Sequence, residues 1–326
     1  MIVTRTPLRV SFFGGGSDIP KFYNEHDGIT VSTTINSYIY LAIHRCTAPH
    51  LKVIYSDLEL TEDIEQVKHN RVREVLKHYG ITSNIEVCSF SDVTVKGTGL
   101  GSSSTFTCGL IKGIHKLVNP SSDIAYEQLA ELASHIEINK CNEPIGKQDQ
   151  YAAAHGGLNA FYYSSSGVMC RKLKIDPLVI NQLNDNLYMF NTGQTRQASS
   201  ILKQQVDNLS NDTTVEMTKS MCELAKQSIK LLHSGKIDEF GELLDQGWQI
   251  KKHLANGVSN RDIDTMYDIA LEAGALGGKI LGAGGGGYLL VYCPDKNKQT
   301  LLSAMSSYER LPFRFTNYGS QIVSNI

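Results

Sequence analysis

The sequence predicts an α+β protein made of two domains. A length of 326 residues is sufficient for about two domains with sizeable cores. The first half of the chain mixes strand-like and helix-like segments, whereas long helical segments dominate from residue 195 onwards. A turn-rich stretch and the connector around Pro177 separate these two textures. We therefore expect one domain at residues 1–175 and a second at residues 176–326.

The predicted N-terminal domain contains both strands and helices. Residues 2–13 and 30–45 alternate apolar and polar side chains and are rich in β-branched residues, which is typical of strands. A valine-rich strand is expected at residues 86–95. Residues 122–140 begin with serine and aspartate and repeat apolar side chains on one face, which predicts a helix.

The predicted C-terminal domain is mainly helical. Helical periodicity covers residues 196–209, 214–234, 237–254 and 261–273. Short strands are expected before these helices at residues 187–191 and after them at residues 287–293, and the strand expected at residues 156–163 belongs to the N-terminal domain. Trp248, the only tryptophan, lies among leucines in the third of these helices, so we expect it to pack in the core.

Composition disfavours several classes of protein. A net charge of −2 and a pI of about 6.6 give no reason to expect a nucleic-acid or membrane partner. The seven cysteines are scattered and form no C-x-x-C pair, which predicts reduced thiols and not a disulfide framework or zinc site. The N-terminus lacks a signal-peptide pattern, and no apolar run approaches transmembrane length. We therefore expect a cytoplasmic protein.

The stretch KGTGLGSSST at residues 96–105 has the features of a phosphate-binding loop. Its three glycines lack the Cβ atoms that would keep a ligand from the backbone, and they permit positive φ angles. The serines that follow open a predicted helix, where hydroxyls, N–H groups and the helix dipole attract an anion. We expect triphosphate binding by Lys96, Gly97, Thr98, Gly99, Gly101, Ser102, Ser103 and Ser104.

Two further segments carry candidate catalytic residues. In PLRVSFFGGGSD (residues 7–18), Arg9 could neutralise a phosphoryl oxygen and Asp18 could accept two hydroxyls. In EINKCNEPIGKQDQ (residues 137–150), Glu137 and Asp149 are suited to holding magnesium and to receiving the proton of an attacking hydroxyl. Taken alone, the first segment also fits a tight turn after a strand, and the second fits solvated acids at a helix end.

A third glycine-rich segment, KILGAGGGG at residues 279–287, precedes strand-forming residues. The G-x-G-x-x-G motif of dinucleotide-binding proteins requires a strand before the glycines and a helix after them. No ribose-binding acid can be placed about twenty residues further on either. A dehydrogenase is therefore disfavoured.

In order and spacing across the chain, these three segments resemble the three signatures of the GHMP small-molecule kinases, which include galactokinase and mevalonate kinase. Within that superfamily, GGGSD, IGKQDQYAAAHGG at residues 145–157 and NTGQTRQAS at residues 191–199 resemble bacterial D-glycero-D-manno-heptose 7-phosphate kinases. Galactokinase-type enzymes carry Glu-His where this chain has Gly15 and Gly16, which argues against galactose. Fucokinases share a Gly-Gly-x-Ser-Asp ending and are the nearest alternative. Val95 replaces the proline that usually opens the second signature, which affects the rigidity of that loop.

The resemblance implies an N-terminal domain similar to domain 2 of ribosomal protein S5 and a C-terminal domain similar to a ferredoxin-like sandwich, with the active site in the cleft between them. It implies ATP and Mg²⁺ as cofactors, with Ser103 and Glu137 as magnesium ligands. Asp149 would take or orient the proton of the acceptor hydroxyl, and Arg9 would stabilise the transferred charge. Implied substrate contacts come from Gly15, Gly16, Ser17, Asp18, Gly284 and Gly285.

The implied reaction moves the ATP γ-phosphoryl group to the anomeric C1 hydroxyl of the heptose 7-phosphate. The 1,7-bisphosphate would serve nucleotide-activated heptose synthesis for a capsule or lipopolysaccharide. The phosphate that the acceptor already carries needs cations of its own, and Arg196, helped by Lys147, is the hypothesised anchor. The partner would be a small-molecule sugar phosphate, and the chain a monomer or homodimer. Alternatives are a fucokinase-like or other sugar kinase of the superfamily, and a non-catalytic nucleotide or sugar-phosphate sensor.

Overall fold

A computed structural model describes residues 1–94, 97–194 and 198–325 of the chain. The strands are β1 (Ile2–Phe13), β2 (Gly28–Arg45), β3 (Leu51–Ile54), β4 (Leu58–Thr61), β5 (Ile85–Ser91), β6 (Asn159–Ser164), β7 (Gly167–Lys172), β8 (Leu187–Asn191), β9 (Gly277–Ile280), β10 (Tyr288–Tyr292), β11 (Phe315–Thr316) and β12 (Gln321–Asn325). The helices are α1 (Pro20–His26), α2 (Asn70–His78), α3 (Ser102–Val118), α4 (Tyr126–Ser134), α5 (Gln148–His155), α6 (Pro177–Asn186), α7 (Ala198–Asn208), α8 (Asp212–His233), α9 (Ile237–Lys251), α10 (Arg261–Glu272) and α11 (Lys298–Ala304). A π-helix, His135–Lys140, follows α4 directly.

A large mixed sheet organises the first half of the chain. Its strands follow the order β12-β1-β2-β5-β3-β4, and β6 and β11 also pair with β2. Pairing is antiparallel except between β3 and β5. The β1/β2 register shifts between Pro7 and Arg9 and again between Ser11 and Phe13, in the part of β1 that leads into the glycine-rich turn. The predicted strands at residues 2–13 and 30–45 are confirmed.

The last two strands return to this sheet. Antiparallel pairing joins β12 to β1, with Ile2 opposite Asn325, and β11 to β2. A buried hydrogen bond between Thr6 and Ser320 (2.7 Å) supports the same junction. The domain boundary near residue 175 stays a prediction, and residues from β11 onwards pair with strands of the first half.

The second half surrounds a three-stranded antiparallel sheet in the order β8-β10-β9. The long helices α8, α9 and α10 match three of the predicted helical segments within a few residues. Trp248 is fully buried in a hydrophobic cluster of this half, as predicted. No helix within the described ranges is long and apolar enough to cross a membrane.

A shared hydrophobic core joins the two halves. Phe240 of α9 contacts Phe12 and Phe13 edge to face, with ring centroids 5.4 and 5.2 Å apart. These aromatic rings belong to a continuous cluster that also includes buried residues of α3, α5 and α8. Because the rings of Phe12 and Phe13 fix the end of β1 against α9, they position the glycine-rich turn that follows β1.

Candidate active site

A cavity of about 570 Å³ is lined by residues from both halves of the chain. From the first half, the end of β1, the start of α3 and the turn before α5 contribute; from the second half, α7, α8, α9 and β9 contribute. The lining includes these residues predicted from the sequence: Arg9, Gly15, Gly16, Asp18, Gly97, Thr98, Gly99, Gly101, Ser102, Ser103, Ser104 and Asp149. The fold thus brings the predicted phosphate loop, catalytic pair and sugar-binding turn to one place.

The glycines of the phosphate loop are required by the backbone. Gly97, Gly99 and Gly101 have φ angles of 72°, 74° and 73°, which side chains other than glycine rarely adopt. A Cβ atom on Gly99 would lie 2.3 Å from the carbonyl oxygen of Leu281, in the third glycine-rich segment. The two glycine-rich loops therefore pack backbone to backbone at the edge of the cavity.

The serines of this loop lie inside α3 and not at its N-cap. The N-cap of α3 is Gly101, which has no side chain to cap the helix, and the serines occupy its first turn. Ser103 is exposed, whereas Ser104 is buried and donates a 2.7 Å hydrogen bond to Glu137. The start of this 17-residue helix faces the cavity with its dipole, as the sequence predicts.

Arg9 and Asp149 form a bidentate ion pair at the cavity wall. The Arg9 Nε and Nη2 atoms donate to the two Asp149 carboxylate oxygens, both at 2.7 Å. Nη1 donates to the Gly99 carbonyl oxygen at 2.5 Å, which ties the pair to the phosphate loop. Arg9 comes from β1 and Asp149 from the first turn of α5, 140 residues later. The pair fixes a carboxylate beside the loop in a single orientation.

Asp18 is a buried carboxyl group at the same wall. Its oxygens accept hydrogen bonds from the backbone N–H groups of Gly16 (3.0 Å) and Gln148 (3.1 Å). Burial raises the pKa of Asp18 to about 6, and repulsion from Asp149 acts in the same direction. Gly146 must lack a side chain here, because a Cβ atom would lie 1.9 Å from Asp18 Oδ2.

Gln148 was not identified from the sequence. Its side-chain amide donates to Asp18 (3.2 Å) and its carbonyl oxygen accepts from Ser11 (2.7 Å). All three side chains line the cavity. In the GKQDQ segment the sequence marks Lys147 and Asp149 as candidates, whereas a glutamine carries no charge that would mark it as functional.

Two buried lysines in the cavity wall were also missed. Lys251 ends α9 and Lys279 lies in β9. Lys251 follows Leu244 and Trp248 at helical spacing, so a lysine on the apolar face of α9 was the available signal. A lysine within a strand that is otherwise glycine and isoleucine was the signal for Lys279.

Several predicted substrate contacts do not line the cavity. Ser17 is fully buried and its hydroxyl bonds to the backbone of Gly14 and Ile29. Lys147 forms an ion pair with Glu131 (2.9 Å). Gly284 and Gly285 are likewise not cavity residues, whereas the neighbouring Gly282 and Ala283 are. Lys96 and Arg196 lie outside the described residues.

Glu137, the predicted magnesium ligand, is fully buried in the π-helix and does not line the cavity. Its carboxylate oxygens accept hydrogen bonds from Arg71 (2.8 Å), Ser104 (2.7 Å), Thr107 (2.8 Å) and Gln150 (2.5 Å). Four donors occupy the lone pairs that a cation would need. As arranged, Glu137 does not fit a metal ligand, whereas the exposed Ser103 hydroxyl does.

Outside the cavity, Cys46, His50 and Glu86 place three possible metal-ligand atoms within 4.8 Å of one another. Hydrogen bonding explains the cluster, because His50 Nε2 lies 3.0 Å from Glu86 and 3.7 Å from the Cys46 sulfur. Lys52 Nζ is 3.7 Å from the same carboxylate, so Glu86 already has a cationic partner.

Comparison with known families returns two matches. The family described as "GHMP kinases N terminal domain" matches residues 67–157, which include the phosphate loop and Asp149. The family described as "GHMP kinases C terminal" matches residues 228–310, which include Lys251, Lys279 and the third glycine-rich segment. Together the two matches contain the cavity-lining helices α3, α5 and α9.

Individual relatives agree with these matches. The chain is 27% identical to a D-glycero-alpha-D-manno-heptose 7-phosphate kinase of Campylobacter jejuni, with 98% of this chain and 97% of the relative covered. It is 26% identical to the bifunctional fucokinase/GDP-fucose pyrophosphorylase of Arabidopsis thaliana, with 90% of this chain and 30% of that protein covered.

Solved structures show the same fold. A D-glycero-D-manno-heptose 1-phosphate kinase from Bacteroides thetaiotaomicron superposes with a TM-score of 0.81 at 23% identity, covering 99% of this chain and 100% of the other. Lactococcus lactis galactokinase superposes with a TM-score of 0.77 at 16% identity, covering 99% of this chain and 95% of the other. The mixed two-part architecture predicted from the sequence is therefore confirmed.

Proposed function

Because the chain belongs to the GHMP kinases, we propose that it transfers the γ-phosphoryl group of ATP to the C1 hydroxyl of D-glycero-D-manno-heptose 7-phosphate. The choice of acceptor is supported by the similarity to the C. jejuni heptose 7-phosphate kinase over 98% of the chain. The observation that carries the chemistry is the Arg9–Asp149 ion pair, which lies in one cavity with the phosphate loop and Asp18.

In this proposal the phosphate loop binds the ATP phosphates. Backbone N–H groups between Gly97 and the first turn of α3, together with the helix dipole, neutralise part of the negative charge. Arg9 reaches the same loop through the Gly99 carbonyl oxygen, so its guanidinium lies where the transferred group would pass. Mg²⁺ would supply further charge neutralisation between the phosphates, held by Ser103.

Asp149 orients the acceptor hydroxyl and takes its proton. The C1 oxygen bonds to the γ-phosphorus, the bond from that phosphorus to the oxygen of the β-phosphate breaks, and ADP leaves. The hydroxyl proton passes to the Asp149 carboxylate. Because phosphoryl transfer proceeds through a loose transition state, correct positioning contributes more than proton removal. Arg9 is therefore both a stabiliser of charge and the residue that fixes Asp149.

Asp18 and Gln148 hold the sugar. Asp18, when ionised, accepts hydrogen bonds from hydroxyls, and the Gln148 amide fixes its orientation. Gly15 and Gly16 leave room for the ring, and contacts from Gly284, Gly285, Lys147 and Arg196 stay proposals from the resemblance. The product, a 1,7-bisphosphate, would enter synthesis of nucleotide-activated heptose for a surface polysaccharide.

Acceptor-dependent ADP release tests the proposal. Purified protein with magnesium-ATP is assayed against D-glycero-D-manno-heptose 7-phosphate, sedoheptulose 7-phosphate, mannose 6-phosphate, fucose, galactose and mevalonate. Turnover that is highest with the heptose 7-phosphate and yields a C1-phosphorylated product is the expected result. A preference for any other acceptor would refute the proposed substrate.

A fucokinase is the second candidate, favoured by the 26% identity to the Arabidopsis protein over 90% of this chain. It predicts turnover of free fucose in the same panel. A non-catalytic sensor predicts ATP or sugar-phosphate binding without ADP release. The Arg9–Asp149 pair argues against a sensor, because a protein that only binds does not need a carboxylate fixed beside its phosphate loop.

A further inference from the structure

Lys251 and Lys279 are two lysines buried in the cavity wall. They are 7% and 4% exposed. Within the described part of the chain, neither lysine forms an ion pair with a carboxylate. The Lys279 ammonium donates to the Phe12 carbonyl oxygen (2.7 Å), and that of Lys251 donates to the carbonyl oxygens of Ile280 (2.9 Å) and Gly282 (2.5 Å).

Such an arrangement is unfavourable in the free protein. Burial, and secondarily the positive charge of Arg9, lower the pKa of Lys279 to about 7. Burial lowers the pKa of Lys251 well below its usual range, and the charges of Lys279 and Arg9 act in the same direction. Carbonyl dipoles offset only part of the cost of burying two neighbouring cations. An anion in the cavity would supply the missing charge.

The hydrogen bonds leave donors for that anion. An ammonium group has three N–H bonds; Lys279 directs one of them, and Lys251 two, to the carbonyl oxygens named above. Both residues line the cavity. Three backbone carbonyl oxygens hold the two side chains in place, so the remaining donors are preorganised.

The position of Lys279 favours the acceptor side of the cavity. Its partner Phe12 immediately precedes the turn from Phe13 to Asp18, whose residues Gly15, Gly16 and Asp18 line the proposed sugar site. Arg9, by contrast, is already engaged by Asp149 and by Gly99 of the phosphate loop. Lys279 thus provides a cation on the acceptor side, whereas Lys251 donates to Gly282, which packs against Gly99 of the phosphate loop, and so lies between the two sides.

We propose that Lys251 and Lys279 bind the phosphate group that the sugar acceptor already carries. This inference rests on the proposed function and names the residues that would select a phosphorylated acceptor over a free sugar. A dianionic phosphate can accept from both ammonium groups at once, and in a water-poor wall such charge-assisted bonds are strong.

Two substitutions, Lys279→Met and Lys251→Met, test the inference. Methionine keeps most of the side-chain volume and removes the charge. Steady-state kinetics compare D-glycero-D-manno-heptose 7-phosphate with the unphosphorylated heptose. Each substitution is expected to raise the KM for the phosphorylated acceptor about 10- to 100-fold and to change that for the free sugar less than about 2-fold. Lys296→Met, an exposed lysine, is the matched control.

An unchanged KM for the phosphorylated acceptor in both variants would overturn the inference. An equal loss of kcat with both acceptors would also overturn it, because the lysines would then act on the transferred group. Far-UV circular dichroism and ATP affinity establish that each variant is folded. The wild-type acceptor panel distinguishes failure of the proposed function from failure of this inference. If wild type prefers another sugar phosphate, the KM values of the variants are compared for that sugar phosphate and its free sugar. If only free sugars react, both proposals are refuted.

Proton uptake on binding gives a readout besides activity. At pH 8, titration calorimetry in buffers of different ionisation enthalpy should show wild type taking up protons when the sugar phosphate binds, since the anion restores the charge of both lysines. Lys279→Met retains only the uptake at Lys251 and should therefore take up about one proton fewer. The other titratable groups lining the cavity are Arg9, Asp18, Arg71, Glu143, Asp149 and Lys251. Equal uptake in both proteins would contradict the assignment.

Discussion

At the scale of single residues, the ion pair of Arg9 and Asp149 makes Asp149→Asn a test of the proposed chemistry. The asparagine amide keeps the shape of the carboxylate, but it cannot take up the hydroxyl proton and it binds the Arg9 guanidinium less strongly. We expect kcat to fall by about 10²-fold or more, and ATP affinity to change by less than about 2-fold. Asp268→Asn, at an exposed position of α10, is the control. A kcat near that of wild type would show that Asp149 is not the acceptor-activating group.

Asp18 gives a prediction about stability and pH. Its pKa is about 6 in the folded protein and 3.8 when unperturbed. The unfolded chain therefore releases this proton at lower pH than the folded chain does, and the stability that protonated Asp18 contributes is lost as pH rises towards and through 6. Between pH 4.5 and pH 7.5 the loss amounts to about 2 kcal/mol.

Urea unfolding of wild type and Asp18→Asn at these two pH values checks this expectation. The asparagine variant has no titrating group at this position. The free energy of unfolding of the variant minus that of wild type should therefore be about 2 kcal/mol larger at pH 7.5 than at pH 4.5. A difference that does not depend on pH would show that Asp18 titrates normally in the fold.

The charged residues of the candidate site were easier to predict from the sequence than the residues that contact them or complete the cavity wall. Arg9, Asp18 and Asp149 were found because each accompanies a recognisable glycine-rich or helix-start segment. Gln148 and Lys279 depend on contacts between residues more than 100 positions apart, such as Lys279 with Phe12, and Lys251 on contacts with Ile280 and Gly282 about 30 positions away. The inward orientation of Glu137 likewise depends on four donors from three different helices, and a sequence pattern carries no information about which way a carboxylate turns.

At the scale of elements, the two glycine loops predict the effect of Gly99→Ala. Gly80→Ala is a matched control, because Gly80 has a similar φ of 66° but nothing within 4 Å of its Cβ position. Gly80→Ala should cost about 1 kcal/mol of stability, from the left-handed backbone alone. Gly99→Ala adds a contact of 2.3 Å with the Leu281 carbonyl oxygen. We therefore expect it to lose roughly 1–3 kcal/mol more stability than Gly80→Ala does.

Urea unfolding and ATP titration of both variants measure these effects. ATP affinity should fall at least about 5-fold for Gly99→Ala and stay near wild type for Gly80→Ala, because only the first substitution moves the phosphate loop. Equal effects in the two variants would show that the packing of the two loops contributes nothing.

Periodic elements were predicted well. The long helices α8, α9 and α10 bury one face each, and that pattern is visible in the sequence. The strands β1 and β2 alternate in burial only at residues 2–5 and 36–45, and are buried on both faces elsewhere. The short strands β9, β11 and β12 were not identified, because two to five residues hold too little pattern. The π-helix at residues 135–140 was expected as ordinary helix, since an extra residue per turn leaves no mark in the composition.

At the scale of the whole molecule, the continuous core shared by the two halves predicts one unfolding transition. Trp248 is the only tryptophan and lies in the second half, so its fluorescence reports there, whereas far-UV circular dichroism reports on both halves. The two signals should change at the same urea concentration. A fluorescence midpoint clearly separated from the circular dichroism midpoint would indicate that the halves unfold independently.

The pairing of β12 with β1 has a consequence for synthesis of the chain. β1 is synthesised more than 300 residues before its partner β12, with Ile2 finally opposite Asn325. Until then, one edge of β1 offers unpaired N–H and C=O groups to any other extended chain. Ribosomes that stop before residue 320 would release polypeptides with this edge open, and these should depend on chaperones far more than the finished protein does.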